Sequence, residues 1–496
     1  MTRLFSLALL VSAAAAAEPF TFDAMPNPSG VDPQVGGLDV LPDGKVAVAF
    51  HRGEVMIFDP ETESWSPFAG GLQEPLGLLA ESDSSLLVMQ RAELTRLNDV
   101  DHDGKADIYQ TVFDGFGMSG NYHEFAFGPA RAPDGSLFIA LNVASNGAGV
   151  RPEIRGEWSE PGDLDFKQMV DDGKWRDRSG KAGRMYSRVP YRGWVIRLSP
   201  DGKKAEPWAC GFRSPDGIGF DAEGRLLVDD NQGDWRGTSP LYVVEKGGFY
   251  GHPASLVWRE DWKGGDPRKM SVSKLDDMRT KETARFPQGD LANSPTQPVV
   301  IPENWGPYAG QTLIGEMNQP RLVRFLADEV DGFTQGTLIP MFDGTPLGAG
   351  NHRLAFSKDG TLWIGKTHLS WAGDEGLFKI KPAAPSQVLT VTGVHLEKAG
   401  ARQRFRISFN RPLKDAGKPE IESFDYKYHE DYGSPKIDEA KLKLDKVELD
   451  RSGRELVIET KARPGSIHHL KLGKLVAEDG TLLDAGSLYY QVTRLP

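Results

Sequence analysis

The sequence predicts an all-β protein, in which a six-bladed β-propeller is followed by a small immunoglobulin-like β-sandwich domain. Three observations support this prediction. One short phrase recurs six times in the longer first part of the chain. The 496 residues include 56 glycines and 34 prolines, which is typical of a chain with many turns and few long helices. The final part of the chain alternates apolar and polar residues, as half-buried antiparallel strands do.

In the recurring phrase, apolar residues are followed by Asp-Gly or a related pair, and then by more apolar residues. Asp-Gly between two short apolar strands indicates a hairpin, because glycine accepts the positive φ of a tight turn. Six hairpins of one kind predict a radial array of sheets whose loops converge on an axial pocket. The copies are GLDVLPDGKVAVAF from Gly37, GLLAESDSSLLVM from Gly77, FAFGPARAPDGSLFIAL from Phe125, GIGFDAEGRLLVDD from Gly217, RLAFSKDGTLWIG from Arg353 and, more weakly, GPYAGQTLIGEM from Gly306.

The propeller is predicted to span residues 18–382, and the sandwich residues 388–496, with a proline-rich linker between them. About seven short segments of the second region alternate with period two, which favours a sandwich. Its segment FDYKYHEDYGSPKIDE carries Tyr426, Tyr428 and Tyr432 beside acidic residues. This segment is either a sugar-binding segment or an aromatic edge that packs on the propeller.

The first residues, MTRLFSLALLVSAAAAAEPF, predict a secretory signal peptide over residues 1–17. Arg3 precedes a short apolar stretch, and small residues up to Ala17 suit a signal peptidase. An N-terminal membrane anchor is the alternative. No later segment is apolar for long enough to span a bilayer. The mature protein is therefore expected to be secreted or periplasmic.

The net charge and the cysteine content limit which binding partners and cofactors are expected. The net charge of −12 argues against nucleic acid or an anionic membrane as the main partner. The single cysteine, Cys210, cannot form an internal disulfide, and there is no C-x-x-C-H motif for covalent haem. Any redox chemistry would therefore need a dissociable cofactor and an external electron acceptor.

Four segments, in order, resemble the soluble glucose/sorbosone dehydrogenase family. These are NYHEFAFGPARAPDGSLFIALN from Asn121, GFRSPDGIGFDAEGRLLV from Gly211, EKGGFYGHPAS from Glu245 and NHRLAFSKDGTLWI from Asn351. The resemblance implies a six-bladed propeller that uses pyrroloquinoline quinone (PQQ) and calcium to oxidise aldose sugars. It places His123 at the position of the family's general base, and an imidazole suits that task near neutral pH.

The predicted cofactor-binding residues include three cations. Arg213 and Arg353 lie in two of the matching segments, and a guanidinium binds carboxylates of an anionic quinone bidentately. Lys366 is a weaker cation candidate just after the last of these segments. A surface or inter-blade role for Arg213 is the alternative.

The loop DDNQGDW, which follows a predicted buried strand, lies where the family's calcium-binding and quinone-facing loop would lie. Asn231 and Gln232 are predicted to face the cofactor, and the oxygens of Asp230 and Asp234 suit Ca²⁺. The loop departs from the family's Glu-His/Gln-Gly-Pro, and Asp216 stands in RSPDG where the family has R-N-P-Q-G. Both departures favour a pocket that binds something else.

A second calcium site is predicted in DVDHDGKADIYQ, from Asp99. Its alternating acidic residues resemble an EF-hand loop, with Gly104 for the sharp turn, and Gln110 replaces the usual final Glu. The loop therefore predicts a structural Ca²⁺ site, with a solvated acidic turn as the alternative. The predicted ligands are Asp99, Asp101, Asp103, the Lys105 carbonyl and Asp107.

The leading functional prediction is a secreted oxidoreductase that oxidises a sugar or sugar derivative with PQQ and Ca²⁺. The expected partners are a carbohydrate substrate and an external electron acceptor. Two alternatives stay open. One is a non-catalytic carbohydrate-binding or scaffold propeller, and the other is a metal-dependent lactonase.

Overall fold

The computed structural model describes residues 18–145, 155–157, 185–368 and 373–496. The predicted signal peptide, residues 1–17, lies outside these residues. The described chain is nearly all β, which confirms the predicted class. Within it, no helix has the length and apolar character needed to cross a bilayer. The helices of the described residues are one α-helix, Val272–Met278, and the 3₁₀ turns Pro253–Trp258, Pro267–Lys269, Glu303–Tyr308 and Pro385–Gln387.

The first region contains six sets of four antiparallel strands. The first two sets are β2 (Val35–Val40), β3 (Val46–Phe50), β4 (Val55–Asp59) and β5 (Ser64–Ala69), then β6 (Leu78–Ser82), β7 (Ser85–Met89), β8 (Leu94–Asn98) and β9 (Ile108–Phe113). The third is β10 (Ala126–Arg131), β11 (Leu137–Leu141), β14 (Trp194–Leu198) and β15 (Ala205–Cys210), with a separate pair β12 (Ala144–Ser145) and β13 (Met185–Tyr186). The fourth is β16 (Gly217–Phe220), β17 (Leu226–Asp229), β18 (Ser239–Val243) and β19 (Ala284–Phe286).

The fifth set is β20 (Pro295–Val300), β21 (Thr312–Glu316), β22 (Leu322–Val330) and β23 (Phe333–Met341). The sixth is β24 (Asn351–Phe356), β25 (Leu362–Lys366), β26 (Gly376–Pro382) and the N-terminal β1 (Phe20–Ala24). Because β1 pairs with β26, from Phe20 opposite Pro382 to Ala24 opposite Phe378, the two ends of the first region meet in one sheet.

The six sets are arranged in a ring. The first strand of each set contacts the first strand of the next, and β24 contacts β2 to complete the circuit. Six clusters of buried apolar side chains fill the spaces between neighbouring sets. Strands such as β3 (VAVAF) and β11 (LFIAL) are buried at every residue, because their sheets are covered on both faces.

The hairpin turns of the repeated phrase join the first two strands of their sets. Gly44, Gly135, Gly224 and Gly360 all have positive φ, between 77° and 92°, at these turns. The Gly44 N–H donates to the Leu41 carbonyl at 2.9 Å, which closes the first of them. Glycine adopts this backbone conformation without strain, so the turn residues alone predict these hairpins.

The second region forms a sheet of its own and also extends a sheet of the ring. Its own sheet is β27 (Val391–Ala399), β28 (Arg402–Phe409), β32 (Glu455–Thr460) and β31 (Leu444–Leu449). The remaining strands, β29 (Glu420–Asp425), β30 (Ile437–Lys441), β33 (Ser466–Lys471) and β34 (Ser487–Val492), continue the fifth set into a sheet of eight strands.

The two regions are joined where β34 pairs with β23, with Leu338 opposite Tyr489 and Gly336 opposite Gln491. One sheet therefore crosses between the region predicted to be the propeller and the region predicted to be the sandwich. The outer edge of β23 presents backbone N–H and C=O groups, and β34 supplies their partners. One apolar cluster contains residues of both regions, including Ile339 and Phe405.

Candidate active-site cavity

A cavity of about 780 Å³ lies at one edge of the ring of sheets. In each antiparallel set, the start of the first strand and the end of the second lie at the same edge, so both ends of each hairpin bring residues to this cavity. Side chains distant in sequence therefore meet there. The lining residues that follow the second strands are His51, Arg91, Ser145, Asn231, Met317 and His368.

His123, the predicted general base, lines this cavity just before β10. Its Nδ1 lies 2.9 Å from the carbonyl oxygen of Val143, so Nδ1 carries the proton and Nε2 carries a lone pair. Nε2 has no hydrogen-bond partner among the described residues. Burial in the cavity wall, and then the positive charge of Arg213, lower the pKa of His123 to about 3. The imidazole is therefore neutral at physiological pH.

Arg91, which the sequence analysis did not identify, forms hydrogen bonds to the segment that carries His123. Its Nη1 donates to the carbonyl oxygens of Asn121 and Tyr122 at 3.1 and 2.7 Å. The backbone N–H of His123 also donates to Oδ1 of Asn121 at 2.9 Å. Arg91 pairs with Glu74 in addition. These contacts fix the turn just before the base.

Arg213 lies in the loop between β15 and β16, and its side chain, only 10% exposed, lines the cavity. Its Nε is 3.6 Å from Oδ1 of Asp234, but the guanidinium makes no hydrogen bond within the described residues, and Nε is buried. A Cβ on Gly233 would lie 1.9 Å from this Nε, so the approach requires glycine there. Arg213 thus presents hydrogen-bond donors that no acceptor of the described chain satisfies.

Asp230 and Asp234, the predicted calcium ligands of this loop, serve other partners. Asp230 accepts the backbone N–H groups of Arg213 and Ser214 at 2.8 and 2.5 Å and pairs with Arg236 at 2.9 Å. Asp234 pairs with His252 at 3.3 Å. Both carboxylates are almost fully buried. Their hydrogen bonds and ion pairs stabilise the conformation of the loop. Among the described residues, neither carboxylate belongs to a cluster of three ligating side chains.

Asn231 and Gln232 both line the cavity, next to these buried carboxylates. Oδ1 of Asn231 accepts from the Ser294 hydroxyl at 3.2 Å. Nε2 of Gln232 donates to the Gly237 carbonyl oxygen at 3.0 Å. The loop therefore offers two amide side chains beside Arg213, each oriented by one hydrogen bond.

Arg353 and Lys366 do not line this cavity. Arg353 lies beneath it, where it donates to Oδ1 of Asp216 at 3.0 Å and to the Leu76 carbonyl oxygen at 2.9 Å. Lys366 donates to the carbonyl oxygens of Leu347 and Ala349 at 2.5 and 2.8 Å. Burial lowers the pKa of Lys366 to about 8. The structure thus places both cations in hydrogen-bond networks within the ring, away from the imidazole.

His352, which the sequence analysis did not single out, forms a buried pair with Asp216 in the cavity wall. His352 Nε2 lies 3.2 Å from Oδ1 of Asp216, and Nδ1 lies 2.9 Å from the Val35 carbonyl oxygen. Charge pairing with His352 and Arg353 holds the pKa of Asp216 below its usual value, although burial acts to raise it. The sequence analysis predicted the neighbouring Arg353 as a cofactor-binding residue, but His352 is the one that lines the cavity.

The acidic loop between β8 and β9 is a separate candidate metal centre. Carboxylate oxygens of Asp99, Asp101 and Asp107 all lie within 4.8 Å of one another. Asp99 is 7% exposed, and its Oδ1 is buried without a hydrogen-bond partner. Asp103 instead accepts the backbone N–H of Lys105 at 2.8 Å and is not in the cluster. None of these residues lines the cavity.

Comparisons with known proteins give one family model and several similar structures. Residues 59–244 match a domain of unknown function, DUF7133. No curated protein matches. A putative glucose dehydrogenase from Thermus thermophilus is 17% identical, with a TM-score of 0.47 over 73% of this chain and 99% of that chain.

The PQQ-bound aldose sugar dehydrogenase of Streptomyces coelicolor is 16% identical, with a TM-score of 0.47 over 73% of this chain and 98% of that chain. A gluconolactonase from Xanthomonas campestris is 14% identical, with a TM-score of 0.38 over 71% of this chain and 86% of that chain. The similar structures thus include PQQ-dependent sugar dehydrogenases, which is the kind of protein that the sequence resembles.

Proposed function

We propose that the ring of six sheets is a six-bladed propeller and that its cavity is the active site of an oxidoreductase acting on a sugar or sugar derivative. The observation that supports this is the presence of two groups in one cavity. His123 presents an uncharged nitrogen without a partner in the described chain, and Arg213 presents a buried guanidinium without a hydrogen-bond acceptor. Such groups suit a proton acceptor and an anion or carbonyl binder.

The residues fit PQQ at this point of the cavity. A buried guanidinium with open donors would bind a carboxylate or quinone oxygen, and Asn231 and Gln232 lie in the same cavity wall. The quinone supplies an acceptor for two electrons when it is bound. An anion beside Arg213 would also offset the positive charge that lowers the pKa of His123.

His123 would act on the hydroxyl of the sugar carbon that is oxidised. Oxidation of an anomeric hydroxyl to a lactone removes one proton from oxygen and a hydride from carbon, and a bound quinone would supply the acceptor for that electron pair. Nε2 accepts the proton, while the bond from Nδ1 to Val143 keeps the ring in the required tautomer. Repeated turnover would also require an external electron acceptor.

The experiment is to add PQQ and Ca²⁺ to the purified protein with a panel of aldoses and an artificial electron acceptor. We expect lactone formation coupled to reduction of the acceptor. His123→Asn should lower turnover at least about 100-fold, as loss of a general base does. His395→Asn, in the second region, should leave turnover unchanged. Absence of turnover, together with an unchanged PQQ absorbance spectrum, would contradict the proposal.

A non-catalytic carbohydrate-binding protein is the second candidate. It is favoured because the arginines that line the cavity all have a carboxylate partner, so the cavity has little surplus positive charge for an anionic cofactor. The pairs are Arg52 with Asp32 at 3.1 Å, Arg91 with Glu74, and Arg213 with Asp234 at 3.6 Å. This candidate predicts that sugar is retained on an affinity gel without turnover, and that His123→Ala still binds.

The lactonase alternative gains no support from the cavity. It needs several metal-ligating side chains grouped at the axis. Among the described residues, the only such group of His, Cys, Asp or Glu is the acidic loop between β8 and β9. We propose instead that this loop, with Asp99, Asp101 and Asp107, holds a structural Ca²⁺ ion.

We also propose that the protein is exported, with residues 1–17 removed. The support is the apolar N-terminal stretch and its small residues before Glu18. Sequencing the N-terminus of the protein purified from its natural cell envelope or medium tests this. A chain that begins at or within a few residues of Glu18 agrees with it, and an intact Met1 contradicts it.

A further inference from the structure

A loop of the second region extends to the ring of sheets. This segment, here called the tyrosine loop, is residues 426–434, between β29 and β30. Three backbone hydrogen bonds join it to the loop after β17. The N–H of Trp235 donates to the His429 carbonyl oxygen at 3.0 Å. The N–H groups of Gly433 and Ser434 donate to the carbonyl oxygens of Gly233 and Gly237, each at 2.9 Å.

Tyr428 anchors the tyrosine loop. Its hydroxyl donates to the Gly251 carbonyl oxygen at 2.6 Å. Its ring centroid lies 5.3 Å from that of Trp235, and the guanidinium carbon of Arg279 lies 4.4 Å from the ring. A phenol that is hydrogen-bonded, packed against an indole and covered by a cation has little freedom to move. The part of the loop beyond it is therefore held in a defined position.

That position brings Tyr432 into the wall of the cavity. The guanidinium carbon of Arg213 lies 5.4 Å from the centroid of the Tyr432 ring. Tyr432 is 48% exposed, although it lies beside a side chain that is nearly buried. The other described residues that line the cavity belong to the first region, so Tyr432 is a direct contribution of the second region to the candidate site.

Tyr122 is exposed to a similar extent, 53%, and adjoins His123 in the same cavity wall. Among the described large apolar or aromatic side chains that are exposed, these two line the cavity, and the others lie elsewhere. Two aromatic side chains that are about half exposed, in a cavity with a few placed polar groups, are the pattern of a small-molecule binding site. The C–H face of a sugar ring suits such rings, because an aromatic face carries partial negative charge.

We propose that Tyr432 is a specificity-determining residue, which supplies an aromatic surface for the ring of a neutral hexose or pentose. This inference rests on the proposed function, because it takes a sugar as the ligand of the cavity. The second region then completes the binding site, and the tyrosine loop is the element through which it does so.

The test measures binding of glucose, galactose, mannose and xylose to the full chain by calorimetry, with and without PQQ and Ca²⁺. Tyr432→Ala and Tyr432→Leu should weaken binding of the preferred sugar about three- to tenfold. Tyr432→Phe keeps the ring and should bind within about twofold of the original protein. The matched control is Tyr109→Ala, because Tyr109 is 47% exposed but does not line the cavity.

The outcomes separate this inference from the proposed function. Unchanged binding in both Tyr432→Ala and Tyr432→Leu overturns the inference, whether or not the protein oxidises sugars. Sugar binding that depends on Tyr432 but proceeds without turnover supports the inference and contradicts the oxidoreductase. A protein that neither binds nor oxidises any of the four sugars overturns both. Equal loss in Tyr109→Ala also overturns the inference, because the effect would then not be specific to the cavity.

Discussion

Two arginines near the axis of the ring differ in how far their donors are satisfied. Arg353, beneath the cavity, donates to the carboxylate of Asp216 and to the carbonyl oxygens of Gly36 and Leu76. Arg213, in the cavity wall, has a carboxylate at 3.6 Å and no hydrogen bond within the described residues. A buried polar group is costly unless it is paired, so we expect the satisfied arginine to stabilise the fold and the open one to gain from a ligand that accepts its hydrogen bonds.

The largest effect should follow replacement of the satisfied arginine. Arg353→Met removes its bonds to the Leu76 and Gly36 carbonyl oxygens and leaves Asp216 buried with one partner fewer. We expect a loss of about 3–5 kcal/mol in the free energy of unfolding, measured by urea denaturation.

The control for that prediction is Arg52→Met. The Arg52 side chain is 73% exposed and forms a surface pair with Asp32, so its loss should change stability by less than about 1 kcal/mol. If the two variants lose the same stability, the distinction between a structural and an open arginine does not hold for Arg353.

Replacement of the open arginine should affect activity more than folding. Arg213→Gln should lower turnover about 100-fold, because it removes charged donors from the cavity. Its unfolding free energy should fall by less than that of Arg353→Met, since Arg213→Gln removes an ion pair with Asp234 at 3.6 Å but no hydrogen bond of the described chain. Arg213→Lys should be intermediate, because lysine keeps the charge but not the planar fork. If Arg213→Gln is strongly destabilised but its folded fraction keeps normal turnover, Arg213 serves folding and not activity.

The acidic loop gives a similar contrast between two carboxylates. Removal of Ca²⁺ with a chelator should lower the midpoint temperature of thermal unfolding. Bound Ca²⁺ stabilises the folded chain by about 3 kcal/mol when its free concentration is 100 times the dissociation constant. Asp99→Asn should abolish this response, because Asp99 has a buried oxygen without a partner. Asp103→Asn should retain most of it, because Asp103 caps its own turn. Equal responses in the two variants would contradict the proposed ligand set.

The smallest expected effect is that of Arg213 on proton binding by His123, whose pKa is lowered to about 3 by burial and then by Arg213. Between the usual pKa near 6.5 and about 3, the unfolded chain binds this proton and the folded chain does not. The contribution of His123 to stability is therefore complete above pH 6.5 and is lost as the pH falls toward 3.

In Arg213→Gln, the pKa of His123 should move upward, and the acid loss of stability should be smaller. The pKa of His123 is measured in both proteins by following the NMR chemical shift of its ring carbon as the pH is varied. The signal is assigned by its absence in His123→Asn. A pKa that does not move would show that burial alone sets it.

Local sequence accounts for part of this site. His123 and Arg213 lie in phrases that a family resemblance points to, and the structure brings both to one cavity with Asn231 and Gln232. Arg353 and His352 are neighbours in β24 at a point where the strand register shifts, and both side chains reach Oδ1 of Asp216. The sequence signal selected this strand, but which neighbour reaches the cavity depends on how the sheets pack.

The same reason applies to the carboxylates. Asp230 and Asp234 have the right chemistry for Ca²⁺, yet their oxygens accept from backbone N–H groups, Arg236 and His252. Nothing in the loop's own sequence shows those partners, since His252 comes from the segment after β18. Asp99 and its neighbours are different, because a short loop contains the whole cluster.

The sequence by itself determined the all-β class, the Asp-Gly hairpins and the acidic loop, because each depends on the conformations and contacts of residues close together in the chain. Only the tertiary structure decided that β34 pairs with β23, that Arg353 is enclosed while Arg213 stays open, and that Tyr432 reaches the cavity. These features depend on contacts between residues far apart in sequence, and such contacts are set by the packing of whole sheets.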